Sequence, residues 1–333
     1  QVWEYDGVPF KFARPELVGT LAEYRKRGLI RAQFDWHQNW CDDNDVLVQG
    51  ITGVLYFYRQ FGYEYALNLG GSVSADEKHL PLKVNEGEVE PCAFRDAVLD
   101  DIPFLIECDS AFGKRNLIAV SRDAKRWHYE IAGMHKSNLH YRRVIIITTT
   151  SGKPIGFYII AGLLWSSSIT IHRLEMMPGQ YWEGMLPAVL RDTWMRGLEY
   201  ATKKEGEVCN KIRLTLGETH PAHCFYGRWF KGKYADFAWY LRVSNLPKFI
   251  LTIASVLERR LEHSIYHGYT GELKLNFFKD GLKINFEDGK IVSAEPWQPG
   301  IADGGGVSIP ELHFLQLLFG YRTLEEIRHI LPD

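Results

Sequence analysis

Apolar and polar positions follow two rhythms along this chain, and their order sets the expected elements. Residues Val8 to Gly19 read as a strand, and from about Arg27 spacings of three and four place Leu29, Ala32, Trp36 and Trp40 on one helical face. Trp36, His37 and Trp40 are therefore expected in the core, with the histidine hydrogen-bonded there. Asp45 to Ile51 reads as a second strand, Val54 to Phe61 as one or two helical turns, and Tyr63 to Leu69 as a third strand. From Gly70 to Pro91 no apolar period survives, which marks a linker.

The pattern restarts with a short strand, Cys92 to Arg95, and a helix bearing Leu105, Ile106 and Cys108 with Asp100 as its expected N-cap. Val144 to Thr150, Ile155 to Ala161 and Ser168 to Met176 read as strands, and a long helix runs from about Glu183 to Thr202, with Pro187 near its first turn. Lys211 to Leu216 and Phe237 to Val243 complete a second mixed unit whose closing order repeats the first, as in an internal duplication. From Asn245 a helix carries Phe249, Ile250, Ile253, Val256, Leu257 and Leu261 as one stripe. Three short strands follow, turned at Lys279-Asp280-Gly281 and Glu287-Asp288-Gly289, and then two helices, Pro310 to Phe319 and Leu324 to Leu331. The expected fold class is mixed α/β and α+β, divided at 1–75, 76–243 and 244–333.

Composition narrows the function. The 333 residues are 46% hydrophobic and 24% charged, which suits two or three packed cores and excludes disorder. Lys and Arg total 39 against 41 Asp and Glu, a net charge of -2, so no global positive field is available for nucleic acid. Five scattered cysteines without paired spacing fit a reduced, cytoplasmic setting. No apolar run approaches the roughly 18 residues that span a bilayer, so no membrane partner is expected. The chain opens on Gln1 without a basic and apolar leader, and its native start is expected upstream.

One segment carries chemistry. Arg25-Lys26-Arg27-Gly28-Leu29-Ile30 lies between the expected strand end at Val18-Gly19-Thr20 and an amphipathic helix. Backbone N–H groups converge at such a helix start, the arginines add charge, and Gly28 admits close approach of a pyrophosphate. Other signals are weaker. Met177-Pro178-Gly179-Gln180 precedes the long helix of the second unit without basic residues. His220, His223 and Cys224 lack the spacing of a chelating helix, and no metal is expected. Asp303-Gly304-Gly305-Gly306 reads as a connector.

Strand, R-x-x-G, helix, strand and then Phe57-Tyr58-Arg59-Gln60-Phe61-Gly62-Tyr63 resembles the second half of a GNAT N-acetyltransferase domain. The stretch from Arg14-Pro15-Glu16-Leu17 through Gly62-Tyr63 most resembles the Eis (enhanced intracellular survival) type, and Leu246-Pro247-Lys248-Phe249 through Gly320-Tyr321-Arg322 resembles that type's terminal domain. The resemblance implies two GNAT folds in tandem, the first lacking its N-terminal half, followed by a sterol-carrier-protein-like domain. It implies acetyl-CoA as cosubstrate, with Arg25, Lys26, Arg27, Gly28, Leu29, Ile30 and Arg31 cradling the pyrophosphate. Val18, Gly19 and Thr20 would align the thioester and pantetheine, Gly53 and Val54 would flank that arm, and Tyr58 would protonate the departing thiolate. Glu16 is a candidate to take the amine proton through water, as strand glutamates do in some GNAT enzymes.

Ile30 stands where many GNAT loops have Gly or Ala, although the Eis-like branch tolerates an aliphatic residue there. The family's terminal carboxylate is not carried over to Asp333, because the chain stops early. The acceptor implied is a small-molecule or lysine amine, and the assembly a homo-oligomer, a hexamer by resemblance. The alternative is a non-catalytic protein holding an apolar ligand in its terminal domain.

Overall fold

The computed structural model describes residues 1–84, 86–203, 205–217, 219–234, 238–300 and 307–331. The connector at Asp303 to Gly306, Phe237 and the terminal Pro332 and Asp333 lie outside the described residues.

The chain begins with a hairpin, β1 (Val2–Tyr5) and β2 (Val8–Ala13), of which only the second strand was expected. β2 stops at Ala13 rather than Gly19. Pro15 has no N–H to donate and biases its predecessor, and Leu17 takes a positive φ of 55°, so the ladder cannot continue. α1 (Leu29–Asp43) follows, then β3 (Val48–Ile51), a 3-10 turn over Phe57–Phe61, and β4 (Glu64–Asn68). The expected stripe on α1 is corrected: Trp36 and Trp40 are 67% and 43% exposed, and the buried positions are Phe34 and Cys41. His37 is half-buried with its Nε2 3.6 Å from the Cys41 sulfur.

Next come β5 (Ser72–Asp76), inside the expected linker, β6 (Ala93–Asp96), α2 (Ile102–Arg115), β7 (Ile118–Val120) and α3 (Ala124–His128). Asp101, not Asp100, does the capping work before α2: its carboxylate accepts from the Val98 N–H and the Arg95 guanidinium. β8 (Arg142–Thr148), β9 (Pro154–Ala161) and β10 (Ser168–Met176) form the expected meander. α4 (Trp182–Ala201) follows, starting one residue earlier than expected, with Pro187 inside it just past the first turn. β11 (Lys211–Leu214), α5 (His223–Tyr226), β12 (Gly232–Tyr234) and β13 (Ala238–Val243) lead to α6 (Leu246–Thr252) and α7 (Ala254–Glu262). The C-terminal strands are β14 (Gly271–Asn276), β15 (Gly281–Glu287), β16 (Lys290–Trp297) and β17 (Val307–Ser308), then α8 (Glu311–Leu318) and α9 (Leu324–Ile330). Asp288 and Gly289 both have positive φ, as a two-residue hairpin turn requires.

The chain divides into two compact units, Gln1–Asn68 with Leu117–Ser121 and Ala238–Asp333, and Leu69–Asn116 with Arg122–Phe237. The first break thus falls after Asn68, not 75, and strand 238–243, expected in the second unit, is built into the first. The first unit's main sheet runs β4-β13-β3-β2-β1-β7 and the second unit's runs β12-β5-β11-β10-β9-β8-β6. β13 is antiparallel to both β3 and β4, and β5 is antiparallel to both β11 and β12. Each sheet therefore receives, beside its parallel pair (β2 with β3, β10 with β11), a strand that follows the other unit in sequence.

In the first unit, one face of the sheet offers Trp3, Phe10, Phe12, Val48, Ala66 and Leu241 to a core shared with Phe249 of α6, Leu315 of α8 and Leu275 and Ile284 of the C-terminal sheet. The opposite face puts Ile51, Tyr63 and Tyr240 against Phe34 of α1, Tyr58 and Phe61. In the second unit α4 covers one sheet face through Leu186, Val189, Leu190 and Trp194, and Leu105, Cys108 and Trp127 cover the other. His220 there is tied twice, its Nε2 2.6 Å from the Leu174 carbonyl and its Nδ1 accepting from the Ala222 N–H at 3.1 Å. Both ring nitrogens are thus engaged, with no lone pair left for a metal. No group of metal-ligating side chains occurs among the described residues.

Gly50 is a close-approach position, because a Cβ there would lie 2.5 Å from the Phe12 ring. Gly50→Ala is expected to lower stability by about 1–3 kcal/mol in urea unfolding, and an unchanged midpoint would contradict this packing. Burial lowers the His172 and His220 imidazoles to about 3. The unfolded chain, titrating near about 6.5, binds the extra protons, so stability present above that pH is lost progressively as the pH falls toward the folded values. The thermal midpoint should therefore drop between about pH 7 and 4.5, and His220→Gln should flatten that slope; equal slopes would rule out His220 as a source.

Candidate active site

Parallel pairing of β2 with β3 consists of two residue pairs, Phe12 with Val48 and Ala13 with Gln49. Beyond them Gly50 and Ile51 are paired only on their other side, to β13, so β3 has an open edge where an extended ligand arm can bond. The segment that leaves β2 carries Glu16, Val18, Gly19 and Thr20. Val18 packs with Ile30 against the Phe34, Ile51 and Tyr58 cluster, and Gly19 is exposed. Glu16 sits on this irregular segment rather than on a strand, exposed and ion-paired with Arg14.

The chain then enters the basic loop. Lys26 and Gly28 both adopt positive φ, 63° and 75°, and Gly28 is the residue from which α1 starts. The first turn of α1 contains no acidic residue and receives no side-chain cap, so its N–H groups have no side-chain acceptor. Arg25 Nε donates to the Thr20 carbonyl at 3.3 Å and Arg27 donates to the Glu23 carbonyl at 2.9 Å, which folds the loop on itself. Arg31 donates to Gln60 Oε1 at 3.2 Å and lies over the Phe61 ring. A cavity of about 300 Å³ results, lined by Thr20, Tyr24, all seven residues from Arg25 to Arg31, and Phe57, Gln60 and Phe61. Helix N-terminus, positive charge and apolar floor together suit a phosphate-bearing ligand.

Sequence reasoning missed Phe57, Gln60 and Phe61 as lining groups. Their signal was present in the turn that carries Tyr58, but it is tertiary contact that brings that turn to α1: Phe34 stacks on Phe61, Gln38 donates to the Phe61 carbonyl and Arg31 donates to Gln60. Tyr58 is 5% exposed and ringed by Phe34, Phe57 and Tyr240. A Cβ at Gly53 would stand 3.4 Å from the Tyr58 hydroxyl, so glycine leaves room beside it. Burial, and then the Glu16 carboxylate, push the Tyr58 phenol above its ordinary value, which keeps it protonated at neutral pH. Val54 is exposed, and its carbonyl accepts from Tyr240 Oη at 3.1 Å. Arg59, beside Tyr58, donates twice to Oε1 of the buried Glu64, at 2.8 and 3.1 Å, and fixes the turn. The corresponding helix start in the second unit differs, because the first turn of α4 already holds Glu183.

The fold is shared with solved structures over nearly the whole chain. A probable N-acyltransferase from Enterococcus faecalis V583 matches at 15% identity and a TM-score of 0.64, over 98% of this chain and 76% of that one. A GCN5-related N-acetyltransferase from Kribbella flavida matches at 14% identity and a TM-score of 0.64, over 99% and 76%. Eis1 from Mycobacterium abscessus matches at 12% identity and a TM-score of 0.57, over 99% and 77%. The chain thus has the mixed α/β fold of GCN5-related N-acetyltransferases. No family model matches it, and no curated protein does. Among the described residues no helix is long and apolar enough to cross a membrane.

If the loop is an anion site, Arg25→Gln combined with Arg27→Gln should weaken pyrophosphate binding about tenfold, most strongly at low ionic strength. Calorimetric titration with equal affinities in variant and parent would exclude the loop.

Proposed function

We propose that this protein is an acetyl-CoA-dependent N-acetyltransferase acting on a primary amine of a small molecule or a lysine side chain. The observation that carries the reading is the conjunction, in one unit, of an open β3 edge with an uncapped, cation-flanked helix start and a buried, protonated tyrosine. The pyrophosphate would rest on the N–H groups of Gly28 to Arg31, with Arg25, Lys26 and Arg27 around it. The pantetheine would extend beside Val18, Gly19 and Thr20 toward Gly53 and Val54. The neutral amine attacks the thioester carbon, the C–S bond breaks, and Tyr58 gives its proton to the leaving sulfur. The amine's proton leaves through water, with Glu16 as candidate acceptor once Arg14 yields it. No covalent enzyme intermediate is required.

The same reading takes the two units as GNAT folds in tandem, the second without CoA, and residues 244–333 as a sterol-carrier-like domain in a cytoplasmic homo-oligomer. A ligand-carrier role for that last segment has less support, since Leu275, Leu282 and Ile284 are spent on the core shared with Phe249 and Leu315.

Tyr58→Phe is expected to reduce kcat by about 10²–10⁴-fold while acetyl-CoA affinity is kept. Turnover should be followed with polyamines, aminoglycosides and lysine peptides. Undiminished turnover would remove Tyr58 as the acid, and absence of acetyl-CoA binding would overturn the enzyme reading itself.

A further inference from the structure

β13 enters the first sheet between β3 and β4, and one of its residues reaches the candidate site from there. Tyr240 lies opposite Ile51 of β3 and Tyr65 of β4. The second pairing needs an irregularity, because Trp239 faces Leu67 and Ala66 is skipped; without the skip Tyr240 would stand opposite an alanine whose side chain belongs to the other face. A bulge of this kind re-aims a side chain. Here it sets the Tyr240 ring on the Tyr65 ring at 3.9 Å, with Tyr58 edge-on at 5.3 Å. Tyr240 is fully buried, and burial raises its phenol, so the hydroxyl is a proton donor at neutral pH. It donates to the Val54 carbonyl at 3.1 Å.

That carbonyl belongs to a stretch that has left the sheet. Pairing of β3 with β13 ends at Ile51, Gly53 and Tyr56 take positive φ of 145° and 62°, and Val54, Leu55 and Tyr56 are exposed. A tyrosine in the left-handed region is strained, so the stretch keeps this course only where something outside it holds it. Two bonds reach the Val54 carbonyl: the Phe57 N–H at 3.3 Å closes the local turn, and the Tyr240 hydroxyl, 186 positions away in sequence, ties that turn to the sheet. Gly53 is next to the tethered residue, and it is the position where a Cβ would stand 3.4 Å from the Tyr58 hydroxyl. We infer that Tyr240 is a positioning residue for acyl transfer: through the Val54 carbonyl it holds residues 53 and 54 beside the place of the pantetheine arm, with the Tyr58 hydroxyl clear to reach the sulfur at its end. The inference rests on the transferase reading above.

The test compares the full chain with its Tyr240→Phe variant, which keeps the ring and its stacking and removes the hydroxyl. Acetyl-CoA and ADP are titrated by calorimetry well below each protein's thermal midpoint; ADP carries the pyrophosphate but no arm. Acetyl-CoA affinity should fall about three- to tenfold, the range of one neutral hydrogen bond, while ADP affinity stays as in the parent. With an amine that the parent acetylates, kcat should fall by a similar factor and KM for the amine should hold. Gly53→Ala reaches the same stretch without touching the Tyr240 ring and should weaken acetyl-CoA with the same selectivity; unchanged binding there would overturn the placement of residues 53 and 54 beside the arm. Equal affinities in parent and Tyr240→Phe would overturn the role of Tyr240 alone, and so would equal losses for the two ligands, which mark a general loosening of the site. A parent chain that does not bind acetyl-CoA overturns the transferase reading, and the inference falls with it.

Discussion

The parallel ladder between β2 and β3 stops after Ala13 and Gln49, and the chemistry proposed for the first unit depends on that stop. Had β2 run on to Gly19, its backbone would have filled the β3 edge and carried the following loop away from α1. Instead the chain leaves the sheet at Pro15, passes Leu17 in a left-handed conformation, and delivers Thr20 and the basic residues to the start of the helix. An open strand edge is normally a liability. Here it is bordered by Val18 and by the aromatic cluster under Tyr58, which confines what can pair with it.

That cluster explains how a phenol can be positioned on a short turn. Phe34 of α1 and Tyr63, just before β4, pack against Tyr58 and Phe61 of the turn, while Tyr240 comes from β13, far later in the chain. The Arg59 to Glu64 pair fixes the polar side of the turn, and Gly53 puts no side chain against the Tyr58 hydroxyl. Site geometry in the first unit therefore rests on the strand it borrows. The first sheet takes β7 and β13 from beyond its N-terminal stretch, so it is not complete from continuous sequence, whereas every strand of the second sheet lies between Ser72 and Tyr234.

The two units treat charge differently. In the second, arginines face acids in the interior: Arg115 with Glu175 at 2.7 Å, and Arg173 and Arg122 with Asp109 at 3.1 and 3.0 Å. Such pairs specify packing more than they stabilise, and losing one partner strands the other. In the first unit the cations of the basic loop bond to carbonyls of their own segment and leave their charge unmatched at a helix start. Matched charge makes framework, and unmatched charge makes a place for a ligand.

Local features were legible in the sequence because they are encoded within a few residues. The start of α1 at Gly28, the Asp288-Gly289 turn, the β8 to β10 meander and the residues from Arg25 to Arg31 belong to this class, as does Tyr58 on its turn. What failed was pairing at a distance. Apolar rhythm marks β5 and β13 no differently from strands that stay with their neighbours, and any strand of suitable pattern satisfies the same backbone bonds, so sheet membership is decided by competition across the whole chain. The same reason misplaced Trp36 and Trp40: α1 carries two apolar stripes, and only the aromatic surface gathered from three other elements decides that the Phe34 and Cys41 side turns inward. The sequence by itself determined local elements and the chemical character of the loop; tertiary structure decided which strand completes each sheet and which side chains meet Tyr58, because those depend on contacts between residues that no short window contains.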